Sequence, residues 1–220
     1  MVATTFEADQ ALLQPQNMFK ALGGIIYQAP PATPIPASFT TLATADLVQL
    51  DPLVWTRLGL VTKGEGITFS RDTNQDTEES WGFTDPTRTD IISDTTSAAF
   101  QLQETSKATL AMFDFVDLSA ITADTTTGEF SYNKPLNIAS AYTRMIFMAV
   151  DGNGTDRRYR FKIFPRAQVV AVADEVWNQA NAVRYPVTVR ANADPVLGYA
   201  VRNVLAGPGQ KSRNASAKFV

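Results

Sequence analysis

Histidine and cysteine are both absent from this chain of 220 residues. Their absence removes the side chain that most readily exchanges protons near neutrality, the commonest metal ligand and the thiol nucleophile. It also excludes a disulfide framework. Long apolar runs are missing as well. The longest, Met145 to Val150, is far too short to span a bilayer. The N-terminus carries Glu7 and Asp9 and has no long apolar stretch, so no secretory leader is expected. A basic excess is also lacking: net charge is -3 and the pI is about 5.0, which argues against a dedicated nucleic-acid binder. These absences point to a soluble protein made in a cytoplasm, one that assembles or binds rather than catalyses.

What is present is β-forming sequence. The apolar fraction of 45% is that of a globular chain. A chain of this size buries roughly 70% of its unfolded surface and needs no metal or disulfide staple. The punctuation predicts a single domain over 1–209. Residues 1–20 form an arm, with a short helix over Phe6–Leu13 as one reading. Pro30, Pro31, Pro34 and Pro36 make 28–50 an extended, proline-rich loop, because four prolines in seven positions forbid a helix and remove ladder donors. Residues 71–90 form a long polar loop or protruding hairpin that contains Trp81 and Phe83. Residues 210–220 read as a basic tail of low order.

Strands are predicted from Gly23 through Tyr27, into Val61, over Ile67–Ser70, over 91–103, at Glu129–Tyr132 and at Val196–Val204. Thr105 or Ser106 caps the best helix, which runs through Leu110 and Phe113. Tyr142 to Val150 is apolar on both parities, as in a strand buried on both faces. Asp151-Gly152-Asn153-Gly154 then reads as a hairpin turn with positive φ at Asn-Gly. In the return strand Tyr159, Phe161 and Ile163 alternate with Arg158, Arg160 and Lys162. Residues 171–182 fit either a strand or a helix. Tyr185, Val187 and Val189 define another strand, which Pro186 places at an edge or a bulge. About eight strands and one helix predict a mainly β fold, a β-sandwich or partly closed barrel with one flanking α-helix.

No catalytic kit emerges. Glu78 and Glu79 would point to opposite faces of a strand, and Asp114/Asp117 are merely neighbours in sequence. Asp72, Asp76 and Glu78 lack the spacing and central glycine of a calcium loop. Gly207-Pro208-Gly209-Gln210-Lys211-Ser212 lacks the glycine spacing of a phosphate loop, and no helix is expected to follow it. No metal or cofactor is expected. The basic strip Arg158, Arg160 and Lys162 reads either as a contact for phosphate or an acidic partner, or as a solvated, aggregation-resistant face. Trp55, Trp81 and Trp177 read as core or interface residues.

The order of several short motifs resembles the major tail proteins of long, non-contractile-tailed bacteriophages. The resemblance is carried by Gly23-Gly24-Ile25-Ile26-Tyr27, the proline arm, Trp55-x-x-Leu58-Gly59-x-Val61 and Gly66-Ile67-Thr68-Phe69-Ser70-Arg71. It continues through Trp81-Gly82, Pro86-x-Arg88-Thr89-Asp90-Ile91, Phe100-x-x-x-Glu104-Thr105, Phe164-Pro165-Arg166-Ala167, Tyr185-Pro186-Val187-Thr188 and Gly207-Pro208-Gly209. It covers roughly 21–209. It implies a β-sandwich with a flanking helix that forms hexameric rings, stacked around a tape-measure protein into a tube that later passes the genome to the host. Tail terminator and tail-tip proteins would be further partners, and genomic DNA would be present only in transit. On that reading Arg71, Asp72, Asp76, Glu78, Glu79, Trp81 and Arg88 of the polar loop are candidate stacking contacts. Arg158, Arg160 and Lys162 are candidate contacts between subunits. The alternatives from the residues alone are a β-sandwich that binds glycan on Trp81 and a carboxylate-dependent hydrolase.

Overall fold

The computed structural model describes residues 5–138 and 141–219. Its strands are β1 (Gly23–Ala29), β2 (Thr56–Arg57), β3 (Ile67–Glu78), β4 (Arg88–Leu102), β5 (Tyr142–Asp151), β6 (Arg158–Val172), β7 (Tyr185–Asn192) and β8 (Arg202–Ala206). The helices are α1 (Phe6–Gln10), α2 (Lys107–Asp114) and α3 (Pro208–Arg213), with single 3-10 turns at Pro15–Asn17 and Gly154–Asp156. All strand pairs are antiparallel, in the order β2-β1-β5-β6-β7-β4-β3, with β8 added to β6. The sheet does not close into a barrel.

β6 organises this sheet. Its first half pairs with β8 through Tyr159–Ile163, and its second half pairs with β7 from Arg166 onward. Pro165 stands between the two partners, where a missing N–H costs least. Opposite this point Met145 pairs with Phe164 but Thr143 with Ala167, so β6 carries one extra residue. Such a bulge bends the strand and exchanges its faces. Before it Phe164 points into the first core cluster, while Tyr159, Phe161 and Ile163 point into a second; after it Ala167 and Val169 join the first.

The bend folds the sheet over itself. Phe100 of β4 lies 5.9 Å from Phe147 of β5 in an edge-on ring contact, although these strands are three places apart in the sheet. Phe69 of β3 likewise meets Phe147 at 5.3 Å. The first core is therefore the filling of a two-layer sandwich, closed at one end by Leu110 and Met112 of α2. The Ser106 hydroxyl caps α2 by accepting the Thr109 N–H, and the helix ends on Phe115 in the left-handed region at φ 58°. Helix and cap agree with the sequence pattern.

β5 is buried on both faces, as its double apolar parity predicts: Met145 and Phe147 serve the first core, Ile146 and Met148 the second. The second core lies on the outer side of β1, β5 and β6. Its cover is the proline-rich segment, which places Phe39 4.4 Å from Phe161 in a stacked contact and buries Trp55. From there Leu58 donates its N–H to Ile26, and Gln103 donates to Leu60, so residues 58–60 cross from β1 to the end of β4. Gly59 makes this crossing at φ 85°, and a Cβ there would lie 2.4 Å from the Glu104 carboxylate, which accepts the Leu60 N–H.

Several expectations change. β7 is interior rather than an edge; Pro186 is tolerated because it lies near the strand's start, beyond the last residue paired with β6. In the β5–β6 turn the positive φ values fall on Gly152 and Gly154, while Asn153 is extended at φ -134°. Glu129–Tyr132 forms no strand; Tyr132 instead hydrogen-bonds Asp114 at 2.7 Å. Residues 173–184 are neither strand nor helix. The expected low-order tail begins as α3, because Pro208 occupies the first turn of a helix, where its missing N–H costs nothing. Residues 1–4 of the expected arm, 139–140 and residue 220 lie outside the described residues.

The second core is expected to be a principal source of stability. Phe161→Ala should lower unfolding free energy by about 3–5 kcal/mol in urea titrations. A loss under ~1 kcal/mol would show that the proline-rich segment is a loose cover rather than part of the core.

Candidate assembly surfaces

Two kinds of surface follow from this fold: segments tied down by buried charge, and elements that the chain leaves unpaired.

Arg158 ties the N-terminal arm to the sheet. The side chain is buried and donates to Asp151, Met18 and Gln16, while the Lys20 N–H also donates to the Asp151 carboxylate at 3.1 Å. Phe19 covers the guanidinium at 5.5 Å. Burial pushes the Asp151 carboxyl up, but the Lys20 N–H and Arg158 outweigh it and hold the carboxyl below its ordinary value. The C-terminus joins the same region: Arg213 pairs with Asp156 at 2.9 Å, and the Ser216 hydroxyl donates to Asn17 at 3.1 Å. Arg144 does equivalent work at the other end of the core. It donates to the Thr33 carbonyl of the proline-rich segment and to Asp194 at 3.2 Å. Asp194 in turn accepts the Val196 and Leu197 N–H groups, which help hold its carboxyl low.

The basic strip therefore separates into three. Arg158 is committed inside the chain. Lys162 lies 4.1 Å from the Phe69 ring centroid, and desolvation there, with Arg160 nearby, lowers its pKa. Arg160 is exposed and makes no ion pair among the described residues. Alternation in sequence could not separate these environments, because Asp151 and Phe69 come from other strands.

The polar loop is a hairpin. β3 and β4 pair from Ile67↔Phe100 out to Glu78↔Arg88, with a slip at Asn74/Gln75 that leaves Ile92 opposite no residue. Residues 71–94 of it are exposed. Arg71 makes a two-point contact with Asp94 at 2.8 and 2.7 Å; this bond holds the Asp94 carboxyl low and the Arg71 guanidinium high. Arg88 pairs with Asp90 at 2.6 Å. Asp72, Asp76, Glu78 and Glu79 make no ion pair among the described residues. The tip closes where Thr87 donates its N–H to the Glu78 carbonyl at 2.9 Å. Trp81 stands fully exposed at that tip. β3 has no partner on its outer side among the described strands.

Trp55 is core, whereas Trp177 is exposed and donates its indole N–H to Glu175 at 2.9 Å. The long segment after α2 also presents Phe130, Leu136 and Ile138 to solvent. The sequence pattern puts Phe130 in a strand that does not form, and Leu136 and Ile138, isolated apolar residues in a loop, carry no period. Asp114 and Asp117 are held by local partners, Tyr132 and Ser119. Burial and the Asp114 bond push the Tyr132 phenol up to about 12. Among the described residues no group of three or more acidic side chains could hold a metal, and no helix is long and apolar enough to cross a membrane.

Arg158→Met should destabilise the protein by about 3–5 kcal/mol, because it leaves the Asp151 carboxylate buried without its partner. Limited proteolysis should then cut within residues 11–20. In the wild type the Asp151 contribution is present above the ordinary carboxyl pKa of about 3.9 and is lost as pH falls through its lowered folded value. The deficit of the variant should therefore shrink in acid; a deficit independent of pH would contradict the pairing.

A family model described as phage tail tube protein matches residues 11–197. No curated protein matches the chain.

Proposed function

Because the chain belongs to the phage tail tube protein family, a family of structural tail components, we propose that it builds the tube of a long, non-contractile tail as hexameric rings. The rings stack around a tape-measure protein, meet tail terminator and tail-tip proteins at the two ends, and later conduct the genome. Subunits are made in the host cytoplasm and end in the virion tail. No catalytic step is assigned to the chain.

The observation that supports ring formation is the free outer edge of β3, a strand of 12 residues. An edge of this length invites pairing with another chain. Pairing it with a different surface of the next copy gives a heterologous contact, which closes into a ring when the rotation permits. Stacking is a second contact, made by side chains and the tip of the same hairpin: Arg71, Asp72, Asp76, Glu78, Glu79, Trp81 and Arg88 supply it, together with the arms.

Transit of DNA constrains the bore. A cationic lining would hold the phosphate backbone through counterion release. Of the basic strip, Arg158 is internal and Lys162 is covered by Phe69. Arg160 remains as the group that faces a neighbour's acids or the exterior.

Negative-stain microscopy of concentrated protein tests the reading. Rings or hollow tubes are expected; monomers at every concentration, or monomers that bind glycan, would overturn it. Replacing residues 74–93 by an Asn-Gly turn keeps the Arg71–Asp94 pair and should permit folding while abolishing tubes. Tubes of normal length and yield from that variant would remove the hairpin from stacking.

A further inference from the structure

We propose that Trp81 of one copy seats in an apolar cleft of a second copy, lined by Pro34, Pro36, Val48, Leu50, Val54 and Trp55. The inference rests on the tube reading, since it supplies the receptor for the projecting hairpin.

The cleft has a volume of about 240 Å³, with Trp55 among the residues that line it. Prolines on one wall offer ring faces and no N–H donors, a surface suited to an aromatic side chain. The wall is preformed. Val48 donates its N–H to Phe39 at 2.9 Å, a bridge joins Thr40 to Leu47, and the Phe39 ring stacks on Phe161. The cleft is open to solvent, and Val48 and Val54 are exposed beside it.

The occupant is equally prepared. Trp81 and Phe83 are the large apolar residues of the hairpin tip, and both are exposed. The tip is fixed by the Ser80–Thr87 hydroxyl contact at 2.9 Å and by the Phe83 N–H donated to Ser80 at 3.2 Å. A side chain presented on a preorganised loop loses little freedom when it docks. The strand runs about 23 Å beyond the Arg71–Asp94 pair before the tip, counting the seven residues to Glu78 at strand rise. Such a reach favours a receptor on another copy.

Charge agrees with this pairing. Glu78, Glu79 and Asp85 surround the tip without ion pairs among the described residues, while Arg88 is committed to Asp90. Arg202 donates to the Ala37 carbonyl at 3.1 Å, between the lining residues Pro36 and Ser38, and Arg57 follows Trp55 by two residues without an ion pair among the described residues. Asp51 also lines the cleft, but its carboxylate accepts the Leu53 N–H at 2.9 Å. An acidic collar around an aromatic anchor thus meets a hole that is apolar apart from Asp51, with the Arg202 guanidinium beside it at Ala37. A knob and a hole on different parts of one chain give a heterologous contact that propagates.

The absence of cysteine makes the test clean. Phe83→Cys and Val48→Cys chains, each retaining Trp81, are mixed, assembled and treated with a short bismaleimide. A cross-linked dimer about tenfold more abundant than in either single variant is expected from the mixture. Trp81→Ala should keep its fold, because Trp81 touches no core. It should raise the protein concentration for half-assembly roughly thirty-fold, as for loss of a hot-spot anchor. Val48→Glu should do the same from the cleft side, since it adds bulk and a charge of the same sign as the collar. Normal wild-type tubes with no excess 83–48 link, or Trp81→Ala tubes forming at the wild-type concentration, would overturn this contact alone. A wild-type chain that never forms tubes would overturn the tube reading with it.

Discussion

The extra residue in β6 at Pro165 is the constraint on which the rest of the structure depends. It lets one strand serve two layers: Phe161 and Ile163 fill the outer core, while Ala167 and Val169 fill the inner one. Without the bulge, continued alternation would aim the second half of β6 at the wrong face, because a one-residue change of register reverses every side chain. The same site exchanges β8 for β7 as the strand's neighbour. β5, its partner along both halves, is therefore apolar on both parities.

Given that frame, the buried charges have a definite task. Arg158 with Asp151 and Arg144 with Asp194 sit at the margins of the core, and each guanidinium also holds a backbone carbonyl of an irregular segment. Buried ion pairs are weak evidence of net stabilisation, but breaking one is costly, so they fix where a segment lies. The result is a chain whose arms and proline-rich cover are anchored, while the hairpin and the outer edge of β3 remain free. A subunit of a tube needs that division: a finished interior and unfinished borders.

Much of this was legible in the sequence because the signals were local. The double apolar parity of β5, the cap at Ser106 and the turn after Asp151 depend on residues close together in the chain. The proline cluster announced an irregular segment but not its role as the lid of a second core, since Phe39 finds Phe161 across more than a hundred residues. Pro186 suggested an edge or a bulge because its missing donor is a local fact, whereas the order of strands is not. The basic strip was visible as a pattern, yet its division among Asp151, Phe69 and solvent depends on strands that meet only in the fold. That Trp81 and its neighbouring charges lie on an exposed hairpin is readable from composition alone, because polar sequence with an embedded aromatic is recognisable without a partner. The cleft that would receive Trp81 carried no sequence signal, being formed by one irregular segment folded back on itself.

The account holds that the core is complete within one copy and that assembly engages the free border. Amide hydrogen exchange in dilute and in assembled protein measures this directly. β5 and the first half of β6 should be protected equally in both states. The amides of β3 beyond Ser70, and of residues 79–87, should exchange rapidly in the monomer and slow by about a hundredfold or more on assembly. Equal, rapid exchange of β3 in both states would contradict the account, as would protection that appears in β5 only after assembly.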